Sequence, residues 1–300
     1  MKVISDAKIL KDKIGKSISK YGNSAQHNLE LFLNYGMKGE ECIFLDAENQ
    51  KGVMAYRKGG AWKIFTDPLC KEHEKIDIIT KAIELILKEE EAKKIIMEDI
   101  SEELRKKIVE FSKDRKFRVL KPSYSLFWPV IDLKDFSEEM PGKKWKTFRK
   151  VRNNFFRENE VVFKGVKEVD KKEIKDLFER WKRNRRDNDR VHFVQYLKFT
   201  DNSFEGLDLF RAMEVNGQIR SIYGGWKIPN SKSYYSFLGI HDYTIKDLGE
   251  VSYLDELAVA KKMGIELLDL GGIEKEHLGF KMKFHPSKMY RTDTFSIMSK

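Results

Sequence analysis

The sequence contains two cysteines, Cys42 and Cys70, among its 300 residues. Two thiols make neither a disulfide framework nor a four-thiolate zinc site. Both are expected to be buried as small apolar side chains. Proline is scarce, at six residues, and no Pro-, Gly- or Ser-rich stretch divides the chain. Collagen-like and low-complexity architectures are thereby excluded. No apolar run approaches the ~18 residues that a membrane-crossing helix needs. The first residues, MKVISDAKILKDKIGKS, have no apolar segment of the secretory type. The expectation is a soluble cytoplasmic protein of a reducing compartment.

Missing motifs narrow the chemistry. The six histidines (His27, His73, His192, His241, His277 and His285) show no H-x-x-x-H or H-E-x-x-H spacing, so no metal site is expected. Gly15-Lys16-Ser17 imitates the end of a nucleotide-binding phosphate loop, but Leu10 stands where its first glycine belongs. Neither G-x-S-x-G nor G-x-G-x-x-G occurs, which removes the commonest hydrolase and dinucleotide readings.

What is present is globular and basic. Hydrophobic residues make up 41% and charged residues 35%, and the length suits about two domains. The net charge of +10 is lopsided. Residues 1–140 hold 26 basic and 25 acidic side chains, whereas residues 141–300 hold 32 and 23, a net +9. A basic field confined to one half suggests an anionic partner: nucleic acid, a phosphorylated donor, or peripheral contact with an anionic membrane. The alternative is a solubilising lysine-rich surface.

Periodicity alternates between helix and strand. Helices are expected over residues 6–20, 76–88, 101–115, 143–157, 171–186 and 251–263, the last stopped by Gly264. Ser101 is a cap for the third; Asp99 with Glu102 is the better one if that helix starts earlier. Strands are expected at 41–46, 52–57, 61–66, 94–98, 117–120 and 125–128, the last stopped by Pro129. Further strands are expected at 161–166, 209–215, 218–226, 233–238, 266–270 and 292–297, with Asn216-Gly217 turning a hairpin. The pattern is α+β and resembles a duplicated domain, with mixed, mostly antiparallel sheets flanked by helices. The boundary falls within residues 132–142, giving domains at 1–134 and 135–300.

Three clusters can carry chemistry. Residues 143–157 (KKWKTFRKVRNNFFR) hold seven basic side chains and no acid. Trp145, Phe148, Val151 and Phe155 form a buried stripe; Lys146, Arg149, Lys150 and Asn153 share the opposite side, and Arg152 falls beside the stripe. Such a face suits phosphate, though a solvated helix face is the alternative. Residues 180–186 (RWKRNRR) with Arg190 combine arginines with one aromatic, a pattern that can position phosphates and stack a base. The competing explanation is a charged helix end. The third cluster places Asp269 before Gly271-Gly272 and then Gly279-Phe280-Lys281-Met282-Lys283-Phe284. Paired glycines let backbone approach a ligand. An acid beside lysines can serve proton transfer and oxyanion stabilisation, or it can simply cap the turn. If its segment is extended, Lys281 and Lys283 point the same way.

Residues 52–68 (GVMAYRKGGAWKIFTDP), 142–154 (GKKWKTFRKVRNN) and 268–284 (LDLGGIEKEHLGFKMKF) follow the order seen in the C-terminal catalytic module of phosphatidylglycerol lysyltransferases, which this chain resembles. The last block also resembles the Fem-type peptidoglycan-bridge aminoacyltransferases. The resemblance implies two tandem GNAT-like domains and transfer of an aminoacyl group from aminoacyl-tRNA to an amine or hydroxyl, with no other cofactor. It carries the functional positions onto Arg149, Arg152 and Asn153, and onto Asp269, Gly271, Lys281 and Lys283. Lys146 and Gly272 join the expected donor-binding set, with Asp269, Lys281 and Lys283 as the catalytic set. The lysyltransferases carry a large membrane domain that this sequence lacks, which leaves the acceptor open. The R/Q-x-x-G-x-G/A loop of acetyl-CoA enzymes is also missing. An acyl-CoA-dependent N-acyltransferase and a non-catalytic nucleic-acid-binding module are the competing readings.

Overall fold

The computed structural model describes residues 1–89, 92, 94–185 and 193–300. Arg186, Arg190 and His192, named above, lie outside the described residues. In chain order the elements are β1 (Lys2–Ile4), α1 (Ala7–Tyr21), α2 (Leu29–Tyr35), β2 (Glu41–Asp46), β3 (Gly52–Lys58), β4 (Ala61–Phe65), α3 (Lys75–Ile86), β5 (Lys94–Ser101), α4 (Glu102–Phe111), β6 (Phe117–Val119) and β7 (Tyr124–Asp132). Then follow α5 (Lys146–Glu158), β8 (Val161–Lys164), α6 (Lys171–Arg183), α7 (Phe193–Asp201), β9 (Leu209–Val215), β10 (Gln218–Lys227), β11 (Ser233–His241), α8 (Leu248–Lys262), β12 (Leu267–Asp269), α9 (Gly279–Met282) and β13 (Lys288–Ser299).

Contacts group these into two units. The first comprises Met1–Pro129, Ile228–Ser231 and Gly271–Lys300; the second comprises Val130–Lys227 and Lys232–Leu270. This grouping differs from the linear division at 134/135. The reason is β13, which pairs antiparallel with β5 and β6 and so returns the C-terminal residues to the first unit.

In the first unit β1 to β4 form an antiparallel meander, and β4 then runs parallel to β5 across the α3 crossover. The spacing of Ile79, Ile83 and Ile86 puts them on one side of α3, where they join Ile43, Val53, Ile64, Ile95 and Met97 in the core. Ser101 caps α4, its hydroxyl accepting from the Leu104 amide at 3.4 Å; the earlier start with Asp99 as cap does not occur. Gly15-Lys16-Ser17 sits inside α1, where the Ser17 hydroxyl donates to the Lys13 carbonyl at 2.9 Å, so no phosphate loop exists there. Pro129 does not stop its strand. β7 runs through it, because a proline supplies extended φ and lacks only the N–H, and the registered pairs with β12 begin one residue later at Val130.

The second unit repeats the plan. β8, β9, β10 and β11 are antiparallel, and β11 is parallel to β12 across α8. Asn216 and Gly217 both adopt positive φ, 52° and 78°, which matches a two-residue hairpin turn of the primed type. The hairpin, β11 and the Asp269 strand share one sheet, and α8 packs on β10 and β11. Gly264, at φ 78°, follows the end of α8. The fold is thus α+β, with a mixed and mostly antiparallel sheet in each unit.

Candidate active site

The two parallel pairs differ at their C-terminal ends. In the first unit β4 is registered with β5 to its last residue, Phe65 opposite Glu98. Just beyond, the Thr66 amide donates to the Glu98 carbonyl at 2.9 Å, and Asp67 crosses to the end of β5. Its carboxylate accepts from the Ser101 amide at 2.9 Å, the Ser101 hydroxyl at 2.8 Å and buried Lys75 at 3.1 Å. The Asp67 carbonyl meets His27 Nε2 at 3.1 Å, while His27 Nδ1 accepts from the Asn23 and Ser24 amides. That geometry makes Nε2 the donor, and burial pushes the ring down to about 4, so it is neutral. Thr66 and Asp99 both have positive φ, 61° and 50°. Burial pushes the Asp99 carboxyl up to about 7, with the neighbouring Glu98 adding to the shift.

In the second unit the registered pairing of β11 with β12 covers only Ser233–Tyr235, and β12 ends at Asp269. The remainder of β11, out to His241, stays registered with β10. Asp242 follows at once, fully buried. It does not tie the strands together. Its carboxylate accepts from Arg220 at 2.7 Å and Arg180 at 3.1 Å, and from the Thr244 amide and hydroxyl at 3.0 and 2.7 Å. Burial alone raises the Asp242 pKa; the Thr244 and Arg220 bonds outweigh it and hold the carboxyl below its ordinary value. Under this segment lies Glu256 of α8, 1% exposed, accepting from Tyr234 and Ser236 at 3.0 and 2.7 Å. His241 is pushed down to about 4 by burial. A Cβ on Gly249 would stand 2.8 Å from its ring, so only glycine lets the start of α8 pass there. Asp269, the last residue of β12, is 2% exposed.

The basic helix is α5, shorter at its start than expected. Trp145, Phe148 and Phe155 are buried and Val151 is half-buried, as the stripe requires. Lys146, Lys150 and Asn153 are exposed. Arg149 is not on that open face. It is half-buried, and its guanidinium donates to the Gly142 carbonyl at 2.9 Å and to that of Met140. Arg152 donates to the Glu138 carbonyl. Met140 and Gly142 have positive φ, so the loop before α5 turns its carbonyls toward these arginines. Both arginines hold the loop, which the spacing of charges does not reveal. In the second basic cluster Trp181 is 3% exposed and packs edge-on against Tyr196, so it is core rather than a stacking surface.

The remaining expected residues lie in the first unit. Gly271 adopts φ 86°, and a Cβ on Gly272 would stand 2.6 Å from the Trp128 indole. The backbone's close neighbour at Gly272 is thus Trp128, whose Nε1 donates to Thr292 at 2.9 Å. The Lys281–Lys283 segment is not extended. Gly279–Met282 is helical, and residues two apart on a helix diverge by about 200°. Lys281 is half-buried and donates to the Gly271 carbonyl at 2.9 Å. Lys283 is exposed, its ammonium 5.3 Å from the Phe280 ring centre. The two lysines do not act side by side. Cys70 is buried, its thiol pushed up to about 12, while Cys42 is half-buried. Among the described residues no group of three or more His, Cys, Asp or Glu side chains is arranged to hold a metal ion. No described helix is long and apolar enough to cross a membrane. A shallow depression of about 540 Å3 along α1 contains none of the expected residues.

Residues 24–235 match the family described as phosphatidylglycerol lysyltransferase, C-terminal. The chain belongs to that family. It is an acyltransferase of the tandem GNAT-like type. The match includes all of α5 and ends before Asp269, Gly271, Gly272, Lys281 and Lys283. The fold is similar to that of L-PGS from Bacillus licheniformis, with a TM-score of 0.68 at 14% identity, covering 99% of this chain and 92% of that one. It is similar to FemX, at 0.65 and 11%, covering 99% and 97%. It is also similar to a tandem GNAT protein from the clavulanic acid biosynthesis pathway, at 0.57 and 8%, covering 98% and 97%. No curated protein sequence matches the chain.

The sequence reading missed Asp67, Asp242 and Glu256. Each is a single acid in an otherwise ordinary segment, and its partners come from elements 8 to 62 residues away. Arg180 was noticed only as part of a charge run, not as a ligand of Asp242.

Proposed function

We propose that the protein takes an aminoacyl group from aminoacyl-tRNA and passes it to an amine or hydroxyl acceptor. The observation that carries this reading is α5: Lys146, Lys150 and Asn153 stand exposed on a helix with no acid before Glu158, and its opposite face is core. A row of ammonium groups suits successive phosphates of an RNA backbone, since charge-assisted bonds to phosphate are the strong ones. Arg149 and Arg152 serve that face by holding the loop that leads into it. The lysyltransferase family supports aminoacyl transfer as the chemistry.

In this reaction the acceptor nitrogen or oxygen bonds to the aminoacyl carbonyl carbon. The carbonyl carbon's bond to the ribose oxygen breaks, the acceptor's proton passes by way of a base to that oxygen, and the ribose leaves with its hydroxyl restored. We assign Asp269 as that base or as the group orienting the acceptor. Lys281 is the candidate that the family resemblance names for supplying positive charge, a role whose loss typically costs ~10²–10³ in rate. Lys283, directed elsewhere, has the smaller role.

The test compares binding of a mixed aminoacyl-tRNA pool with that of acetyl-CoA, followed by single-turnover transfer to amine and phosphatidylglycerol acceptors. We expect tRNA binding that weakens steeply with salt and falls about 10²-fold in Lys146→Glu/Lys150→Glu. Asp269→Asn and Lys281→Ala should slow transfer while binding persists. Saturable acetyl-CoA binding with none to tRNA would overturn the donor. Binding of tRNA without transfer to any acceptor would favour a non-catalytic binding module.

A further inference from the structure

One aromatic on the basic helix is out of place. Phe156 is 42% exposed, and it is the sole large hydrophobic side chain that α5 exposes to this degree. At 100° per residue it flanks the Lys146, Lys150, Asn153 and Arg157 face, one step from Asn153. It is also fixed in place. Its ring meets Phe155 edge-on at 6.0 Å and leans on Phe163 of β8 at 6.4 Å. Phe163 in turn carries the Arg211 guanidinium 4.4 Å from its centre. An exposed ring held by neighbours, at the margin of an acid-free cationic face, is the arrangement that lets a nucleobase stack while its phosphates meet ammonium groups. A lipid surface calls for several apolar side chains entering together, and α5 offers one.

Resting on the donor reading above, we propose that Phe156 is a stacking platform for an unpaired base of the RNA that α5 binds. The chemistry needed is a π face, so size and apolarity alone do not suffice. The experiment measures binding of a fluorescent single-stranded oligoribonucleotide, and of an abasic strand of equal length, to the full chain over a salt series. Phe156→Ala and Phe156→Leu should each weaken oligonucleotide binding by roughly fivefold to a hundredfold. Phe156→Trp should retain it. None should change the slope of log affinity against log salt, because no phosphate contact is lost. Abasic-strand binding should not respond to any of the three. Lys146→Gln, by contrast, should lower the slope by about 0.7. Wild-type affinity in Phe156→Leu or Phe156→Ala overturns the inference while leaving the donor reading intact. Failure of the wild-type chain to bind any RNA overturns both. A Phe156→Ala effect confined to phosphatidylglycerol vesicles would assign this ring to a membrane and remove it from RNA binding.

Discussion

Asp67 and Asp242 occupy matching places in the two units, just past the first strand of a parallel pair and before its crossover helix. They do opposite things. Asp67 binds Ser101 at the end of the second strand and Lys75 at the start of the helix, so it staples the pair shut. Asp242 turns away to Arg180 of α6 and Arg220 of β10, and β11 is registered with β12 over three residues only. One supersecondary plan thus carries a carboxylate that bridges its two strands in the first unit and one that binds arginines in the second. Charge follows the same division. Three of the five lysines of α1, Lys11, Lys13 and Lys16, are paired with Glu30, Asp46 and Asp12, and Lys106 of α4 with Glu102. On α5 there is no acid before Glu158, and Arg149 and Arg152 bind backbone carbonyls.

The staple is the sharpest place to test this contrast. Asp67→Ala leaves Lys75, with 9% of its side chain exposed, only its pair with exposed Glu72 at 2.8 Å, and should cost about 3 kcal/mol. Asp242→Ala should cost less, because Arg180 and Arg220 retain 30% and 23% side-chain exposure and can reach water. Urea unfolding of both variants measures the difference; equal losses would break the comparison.

Each unit also holds one neutral imidazole, buried His27 and half-buried His241, both at about 4. The unfolded chain takes up these protons near pH 6.5 and the folded chain does not. Their stabilisation is therefore complete above pH 6.5 and is lost as the pH falls toward 4, by about 3 kcal/mol for fully buried His27. Asp99 has the opposite sign. Its carboxyl, raised to about 7, keeps its proton in the folded state, so its contribution shrinks as the pH rises from 3.8 to 7. Asp99→Asn should accordingly gain stability on the parent between pH 5 and 8. Imidazole NMR titrations and unfolding curves across this range check both; a His27 signal titrating near 6.5 contradicts the first.

The charge contrast predicts a hundredfold or so. Lys146→Glu/Lys150→Glu on α5 should weaken tRNA binding by about 10²-fold at moderate salt. The same reversal at exposed Lys8 and Lys20 on α1 should change it little. Equal effects from the two helices would mean that overall charge, and not α5, attracts the RNA.

The smallest effects come from glycines. Gly272→Ala presses a methyl against Trp128 and should cost about 1–3 kcal/mol. Gly264→Ala, in open space at φ 78°, should cost about 1 kcal/mol through backbone strain alone. Thermal unfolding ranks them, and a reversed order would show that the Trp128 indole yields readily.

Much of the architecture was legible residue by residue. The Asn216-Gly217 turn, the Gly264 stop and the apolar spacing of α3 and α5 are local instructions, and local geometry carried them out. The family resemblance rested on short blocks of the same kind. Three readings failed for one shared reason. Pro129 was read as a strand end, Lys281 and Lys283 as an extended pair, and Arg149 as an open phosphate ligand. In each case the outcome depends on what lies alongside: the onset of pairing at Val130, the helical turn at Gly279–Met282, the carbonyls of Met140 and Gly142.

The sequence by itself determined the α+β pattern, the excess of positive charge after residue 140 and the helix that presents it, because periodicity and charge are properties of neighbouring residues. Tertiary structure alone decided that β13 joins the first unit, that Asp67 bridges its strand pair while Asp242 binds Arg180 and Arg220, and which cations face solvent. Those outcomes depend on groups tens of residues apart competing for one carboxylate or one strand edge. Their energies exist only once the chain has brought the competitors together.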